Sequence, residues 1–127
     1  MRLYKPVVCE GAYCSSPQNL SSRKGSLYWF NKADTLWRKT MNNFTIVRPE
    51  HLNHHGYLFG GAMLKWIDDF AWLVASRDFN GCKMVTIGMD KISFRHRVLS
   101  GSILRFNIFP HTQGRTSMCY DVNVYAD

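Results

Sequence analysis

The sequence predicts an α+β domain in which one long helix packs against one face of an antiparallel sheet. From Gly60 to about Arg77 the apolar residues recur at helical spacing. Three later stretches alternate apolar and polar residues as strands do, and short turns join them. Short turns connect antiparallel neighbours, and a helix with one apolar arc covers one face of such a sheet. The 127 residues suffice for a single domain.

The strands are predicted in a definite order around that helix. Residues 44–48 form a short β-branched strand before it, and Asn80-Gly81 ends it. Residues 84–98 alternate, with a change of parity at Asp90-Lys91 that predicts a β-bulge. Residues 103–109 and 117–126 alternate without interruption, so each should present one apolar face to the helix.

Residues 1–40 have a different character and show no strand periodicity. They hold seven Lys/Arg against two acids, a Ser-rich tract, and a weak helical pattern over 27–37. We expect an N-terminal extension, either disordered or the result of a wrong start site before Met41, and a domain spanning 41–127. The segment is then dispensable. The alternative is that Trp29, Phe30 and Trp37 fold back over a sheet edge.

Composition excludes several classes of protein. The formal charge is +7, but outside residues 1–40 the basic excess is small and no nucleic-acid-binding motif is present. No apolar run has membrane-span length and no signal-peptide core is evident, so we expect a cytoplasmic protein with neither nucleic-acid nor membrane partners. The four cysteines form no CxxC pair, and free thiols are expected.

Two adjacent acids, Asp68 and Asp69, interrupt the apolar helix. On a helical wheel Asp69 lies in the polar arc, four residues after Lys65, as a solvated carboxylate does. Asp68 lies at the edge of that arc, where partial desolvation makes a carboxylate a stronger base. Asp68 is therefore the candidate general base or nucleophile, although a helix-surface role remains the alternative. Trp72 also lies on the polar side, which favours cover from a second subunit, with half burial under the N-terminal segment as the alternative.

Two further features lie near the predicted start of the helix. Gly60 and Gly61 would let a substrate carbonyl approach the free N–H groups of a helix N-terminus, although glycines also permit close packing. His51, His54 and His55 lack the spacing of a zinc site and the ligands to complete one, so no metal is expected.

Residues 48–69, RPEHLNHHGYLFGGAMLKWIDD, resemble the signature of hot-dog acyl-CoA thioesterases. That family includes bacterial short-chain acyl-CoA thioesterases and brain-type cytosolic acyl-CoA hydrolases. The matching positions are Pro49, Asn53, Gly56, Gly60, Gly61 and Asp68. The similarity continues through 85–101 and 114–127, covers about residues 43–127, and leaves 1–40 without a counterpart.

The resemblance implies a hot-dog fold, a curved antiparallel sheet around one long helix, and an enzyme that hydrolyses acyl-CoA to fatty acid and coenzyme A without a cofactor. It implies dimers, in some relatives assembled into trimers of dimers, with Asp68 and Asn53 supplied by opposite subunits. Asp68 would activate water or attack the thioester, Asn53 would orient either one, and the Gly61 amide would stabilise the oxyanion. Arg115 and Ser117 lie where the family contacts the nucleotide, and Gly60 is the other expected substrate contact.

The chain also departs from this pattern. Relatives carry one more strand after the position of Asp127, so the sheet is expected to lack its last strand, which puts activity in doubt. Two alternatives follow: a non-catalytic acyl-CoA-binding hot-dog module, or a hot-dog dehydratase. A dehydratase would need a catalytic histidine, but this sequence lacks the dehydratase motif and has Asn53 at the loop position.

Overall fold

The computed structural model describes residues 1–14, 40–79 and 81–127. The strands within these ranges are β1 (Arg2–Tyr4), β2 (Val7–Cys14), β3 (Met41–Ile46), β4 (Cys82–Asp90), β5 (Ile103–Gln113) and β6 (Ser117–Ala126). A 3-10 turn covers Pro49–His51, and the long helix α1 spans Gly60–Asp78. The sheet has the order β3-β5-β6-β2-β4, with β1 also paired to β6, and every pairing is antiparallel.

Helix α1 and strands β5 and β6 form the core as the periodicity predicts. The buried residues of α1 are Met63, Ile67, Ala71, Val74 and Ala75. They face alternate residues of the two strands, among them Leu104, Phe106, Ile108, Tyr120, Val122 and Val124, none of which is exposed. Within the described residues the sheet curls around helix α1, which confirms the α+β class and the predicted hot-dog arrangement.

The N-terminal residues differ most from expectation. Strand β2 lies inside the sheet, with Val8 opposite Met89 of β4 on one side and Tyr120 of β6 on the other. It therefore takes the position beside β6 where a last strand was expected to be missing. The prediction that residues 1–40 lie outside the domain is wrong for β1 and β2, whereas the short helix predicted over 27–37 lies outside the described residues.

The predicted strand over residues 84–98 is correct only in its first half. Strand β4 ends at Asp90, and Lys91 adopts a left-handed conformation with φ of 59°, which turns the chain out of the ladder. The segment 91–98 is irregular rather than a strand continued after a bulge, and Phe94 is half exposed. The Tyr4 hydroxyl donates to the His96 carbonyl oxygen at 2.9 Å, so β1 holds this segment in place.

The expectation of free thiols is also wrong, because Cys9, Cys82 and Cys119 are all disulfide-bonded. Cys9 of β2 and Cys119 of β6 face each other in register and form a disulfide, with their Cα atoms 4.0 Å apart. The bond joins residues 110 positions apart in sequence. It fixes the N-terminal strand to the C-terminal strand of the sheet.

Candidate active site

The two adjacent helix acids have different surroundings. Asp69 is exposed and forms an ion pair with Lys65 at 2.6 Å, the surface role that the helical wheel predicts. Asp68 is half-buried, and its Oδ1 accepts a short hydrogen bond from the hydroxyl of Thr86 on β4. Asp68 is thus the acid that the fold holds in one orientation, whereas Asp69 serves the solvated face.

A second carboxyl group reaches the same threonine. Glu10 of β2 has no exposed surface, and its two carboxyl oxygens lie 3.0 and 3.1 Å from Thr86 Oγ1. Burial raises the pKa of Glu10 to about 7; the Thr86 hydrogen bond opposes that rise, and the nearby negative charge of Asp68 adds to it. Helix, edge strand and N-terminal strand therefore meet in one Asp68–Thr86–Glu10 cluster.

Sequence reasoning missed Glu10 and Thr86. The available signal was an acid within an otherwise small and apolar run, VVCEGAYC. That signal is readable only if the run is recognised as a central strand, and the partner Thr86 is 76 positions away.

The two glycines at the start of α1 lie beside aromatic rings. A Cβ on Gly60 would lie 3.4 Å from the ring of Phe94, and one on Gly61 would overlap the ring of Phe59. The N–H groups of Ala62 and Met63 donate to the Phe59 carbonyl at 3.0 and 3.2 Å. The two glycines precede them in the first turn, where a helix offers no carbonyl partner to its N–H groups. Close packing, the alternative left open by the sequence, is thus present at both positions.

Asn53 lies in the loop that leads to this helix start. Its side-chain oxygen accepts hydrogen bonds from the N–H groups of His55 at 2.9 Å and Tyr57 at 3.2 Å. Residues 50–54, together with Phe59 and Ala62, line a cavity of about 430 Å³. The structure therefore brings Asn53 to the same cavity as the first turn of α1.

Asp68 lies farther along the same helix. Gly61 precedes it by seven residues, which is about 10 Å along a helix axis. A reacting carbonyl has to lie within about 3 Å of both the attacking group and the oxyanion donor. The two positions are therefore about two helical turns apart within one chain.

Arg115 and Ser117 lie at the turn between β5 and β6. The Gly114 N–H donates to the Ser117 carbonyl at 2.8 Å, which closes the turn, and Arg115 is exposed. Ser117 pairs with Gly11 of β2, next to Glu10. The turn thus belongs to the same end of the sheet as the Asp68–Thr86–Glu10 cluster.

The loop histidines make contacts within the protein. His51 Nδ1 accepts from the Arg48 N–H at 3.1 Å, and the rings of His54 and His55 lie 3.9 Å apart. Within residues 1–14, 40–79 and 81–127, no three His, Cys, Asp or Glu residues are arranged to hold a metal ion.

The described part of the chain contains no helix that is long and apolar enough to span a membrane.

A curled sheet around one helix, with a held carboxylate on that helix, defines a hot-dog domain of the thioesterase type. The chain belongs to the thioesterase superfamily, whose family model matches residues 55–127. It is 37% identical over 82 residues to mouse acyl-coenzyme A thioesterase 11, a match covering 65% of the chain. It is 30% identical over 92 residues to rat acetyl-coenzyme A thioesterase, covering 72% of the chain. It is 31% identical over 84 residues to human cytosolic acyl coenzyme A thioester hydrolase, covering 65%.

These relatives are much longer proteins. The matched part of the chain corresponds to 14% of the mouse protein, 16% of the rat protein and 21% of the human protein. The similarity therefore covers about a fifth or less of each relative's length.

Proposed function

We propose that this domain hydrolyses acyl-CoA thioesters to a free fatty acid and coenzyme A. The observation that carries the proposal is the half-buried Asp68 on the helix of a thioesterase-superfamily domain. Its carboxylate accepts a hydrogen bond from Thr86 on β4. The names of the relatives, two acyl- or acetyl-CoA thioesterases and an acyl-CoA thioester hydrolase, support the same substrate class.

Asp68 acts in one of two ways. As a general base, it takes a proton from water while the water oxygen bonds to the thioester carbonyl carbon. The C–S bond then breaks, and the coenzyme A sulfur leaves with the proton that Asp68 held. As a nucleophile, Asp68 itself bonds to the carbonyl carbon and expels the thiolate, and water then cleaves the mixed anhydride.

The oxyanion donor and the orienting amide come from a second copy of the chain. The separation of about 10 Å between Gly61 and Asp68 along α1 supports this division. Asn53 and the Gly61 N–H of one copy then face Asp68 of the other. The half-exposed apolar side chains Val85, Ile87 and Trp72 offer surface for such a contact. The assembly we propose is a homodimer, with a trimer of dimers as its larger form.

The nucleotide part of coenzyme A carries phosphates that need cationic partners. Arg115 and Ser117 are the proposed contacts, because their turn lies at the cluster end of the sheet, and Gly60 contributes backbone near the acyl thioester. The reaction described uses no cofactor. We further propose a cytoplasmic enzyme without nucleic-acid or membrane partners, since one relative is named a cytosolic hydrolase.

The test is direct: the purified chain is mixed with acyl-CoAs of increasing chain length, and free thiol is followed over time. Thiol release that saturates with substrate is the expected result. Binding of acyl-CoA, seen by calorimetry, without thiol release at any chain length would contradict the proposal and support the non-catalytic module instead.

A further inference from the structure

The reaction proposed above gives no role to Glu10, the most deeply buried acid of the described residues. Glu10 has no exposed surface and lies opposite Thr86 in the β2–β4 ladder. The Thr86 hydroxyl contacts both Glu10 carboxyl oxygens and also Asp68 Oδ1. A single hydroxyl therefore bridges a buried carboxyl group and the candidate catalytic carboxylate.

Proton counting restricts how this bridge works. A threonine hydroxyl has one proton to donate and lone pairs that accept. Two ionised carboxylates would compete for that proton, and their like charges would destabilise each other. The conflict disappears if Glu10 is neutral, because its O–H then donates to Thr86 Oγ1 while the Thr86 hydroxyl donates to Asp68.

Burial decides which of the two acids holds the proton. Glu10 is fully buried and Asp68 only half-buried, so desolvation disfavours the charge more strongly on Glu10. The raised pKa of Glu10, about 7, agrees with this assignment. From β6, Tyr120 also faces the cluster; burial, Asp78 and Glu10 raise its pKa, and its hydroxyl donates to Asp78 at 2.9 Å.

We propose that Glu10 is a positioning residue of this active site, which as a neutral acid commits the Thr86 hydroxyl to Asp68. Asp68 then has its Oδ1 held by Thr86, and its Oδ2 is left to act on water or the thioester. When Glu10 ionises, the single hydroxyl proton is shared between two carboxylates and Asp68 loses its fixed orientation. The inference rests on the proposed function of Asp68 and deepens it, because it makes strand β2 part of the site.

The experiment compares three substitutions at position 10 across the pH range from about 5 to about 8. Glu10→Gln keeps the size and can donate an N–H to Thr86 at every pH, Glu10→Leu cannot donate, and Glu10→Asp still titrates. The wild-type kcat should fall as pH rises through about 7. Glu10→Gln should keep the low-pH rate and lose that fall. Glu10→Leu should lower kcat by about tenfold at low pH with KM little changed.

Two controls separate this role from a merely structural one. Asp121→Asn removes another buried acid, one paired with His111 at 2.9 Å, and should leave the pH profile unchanged. Thr86→Val should match Glu10→Leu, and the double variant should lose no more than either alone. Infrared spectroscopy supplies a readout without substrate: the band of a protonated carboxyl should be present below pH 7 and absent in Glu10→Gln.

The outcomes distinguish the two proposals. If the wild type releases no thiol from any acyl-CoA, the proposed function fails and the role of Glu10 falls with it. If the wild type is active and Asp68→Asn is not, but folded Glu10→Gln is as slow as Glu10→Leu at low pH, only the role of Glu10 is overturned. Wild-type activity in folded Glu10→Leu would overturn it equally.

Discussion

At the scale of single residues, the neighbours Asp68 and Asp69 give the sharpest contrast in the molecule. Asp68→Asn should lower kcat by at least about a hundredfold, because the general base or nucleophile is removed while the Thr86 contact can persist. Asp69→Asn removes only an exposed ion pair with Lys65 and should change kcat little. Thiol release by the two purified variants is the measurement. Equal losses in both would contradict the assignment of Asp68.

Glu10 also links stability to pH. Its folded-state pKa of about 7 lies above the ordinary value of 4.5, so the folded protein retains a proton that the unfolded chain has released between these two pH values. The stabilisation is complete below about 4.5 and is lost as pH rises through about 7. The loss is on the order of 3 kcal/mol by linkage.

Denaturant unfolding of wild type and Glu10→Gln at several pH values checks this expectation. The two proteins differ only at position 10, so contributions from the rest of the chain cancel in the difference. The difference in unfolding free energy should change between about pH 5 and about pH 8 in the direction that favours wild type at the acid end. A difference that does not vary with pH would show that Glu10 is ionised throughout.

At the scale of elements, the sequence predicts best where periodicity and burial agree. Helix α1 and strand β6 have the predicted position because each has one continuous apolar face. Strand β2 was not predicted because it is a central strand and is buried on both faces. Glu10 and Gly11 are buried beside Val7 and Val8, so apolar and polar residues do not alternate along it.

The candidate site residues could be predicted only where they lie on elements that the sequence itself predicts. Spacing and resemblance single out Asp68, Asn53 and the glycine pair, which lie on α1 and the loop before it. The contacts of Thr86 and Glu10 arise from strand pairing across 76 positions, which local sequence does not encode.

The position of β2 reverses the expectation that residues 1–40 are dispensable. A variant that begins at Met41 lacks the strand between β6 and β4, so both lose a paired neighbour and Thr86 loses its support. We expect that variant to be unfolded or to melt many degrees lower, and to release no thiol. An unchanged thermal midpoint would show that β2 contributes nothing to the domain.

A pair of substitutions within β2 makes a gentler test of the same point. Val8 is fully buried, and Val8→Ala should lower the free energy of unfolding by roughly 2 kcal/mol through lost apolar burial. Tyr13 is 66% exposed, and Tyr13→Ala should change the free energy of unfolding by less than about 0.5 kcal/mol. If neither substitution changed the free energy of unfolding, the strand would not be packed in solution.

At the scale of the whole molecule, the proposed site is complete only when two copies meet. Mixing inactive Asp68→Asn with inactive Asn53→Ala, then allowing subunits to exchange, should restore about a quarter of wild-type activity. Half of the randomly formed dimers are mixed, and each mixed dimer has one site with both residues intact. Sedimentation should show a dimer or larger assembly in every sample. Absence of recovery despite demonstrated exchange would place both residues in one chain.

The position of β2 also affects the order in which the domain can form during synthesis. Residues 7–14 leave the ribosome before one of their two ladder partners, β6, which spans Ser117–Ala126. Helix α1 and strand β3 can begin to fold while β2 is still unpaired. The backbone donors and acceptors of β2 then face water. Pairings between such distant segments form slowly, because a long loop must close first. Nascent chains should therefore depend on protection of strand β2 until β6 has been synthesised.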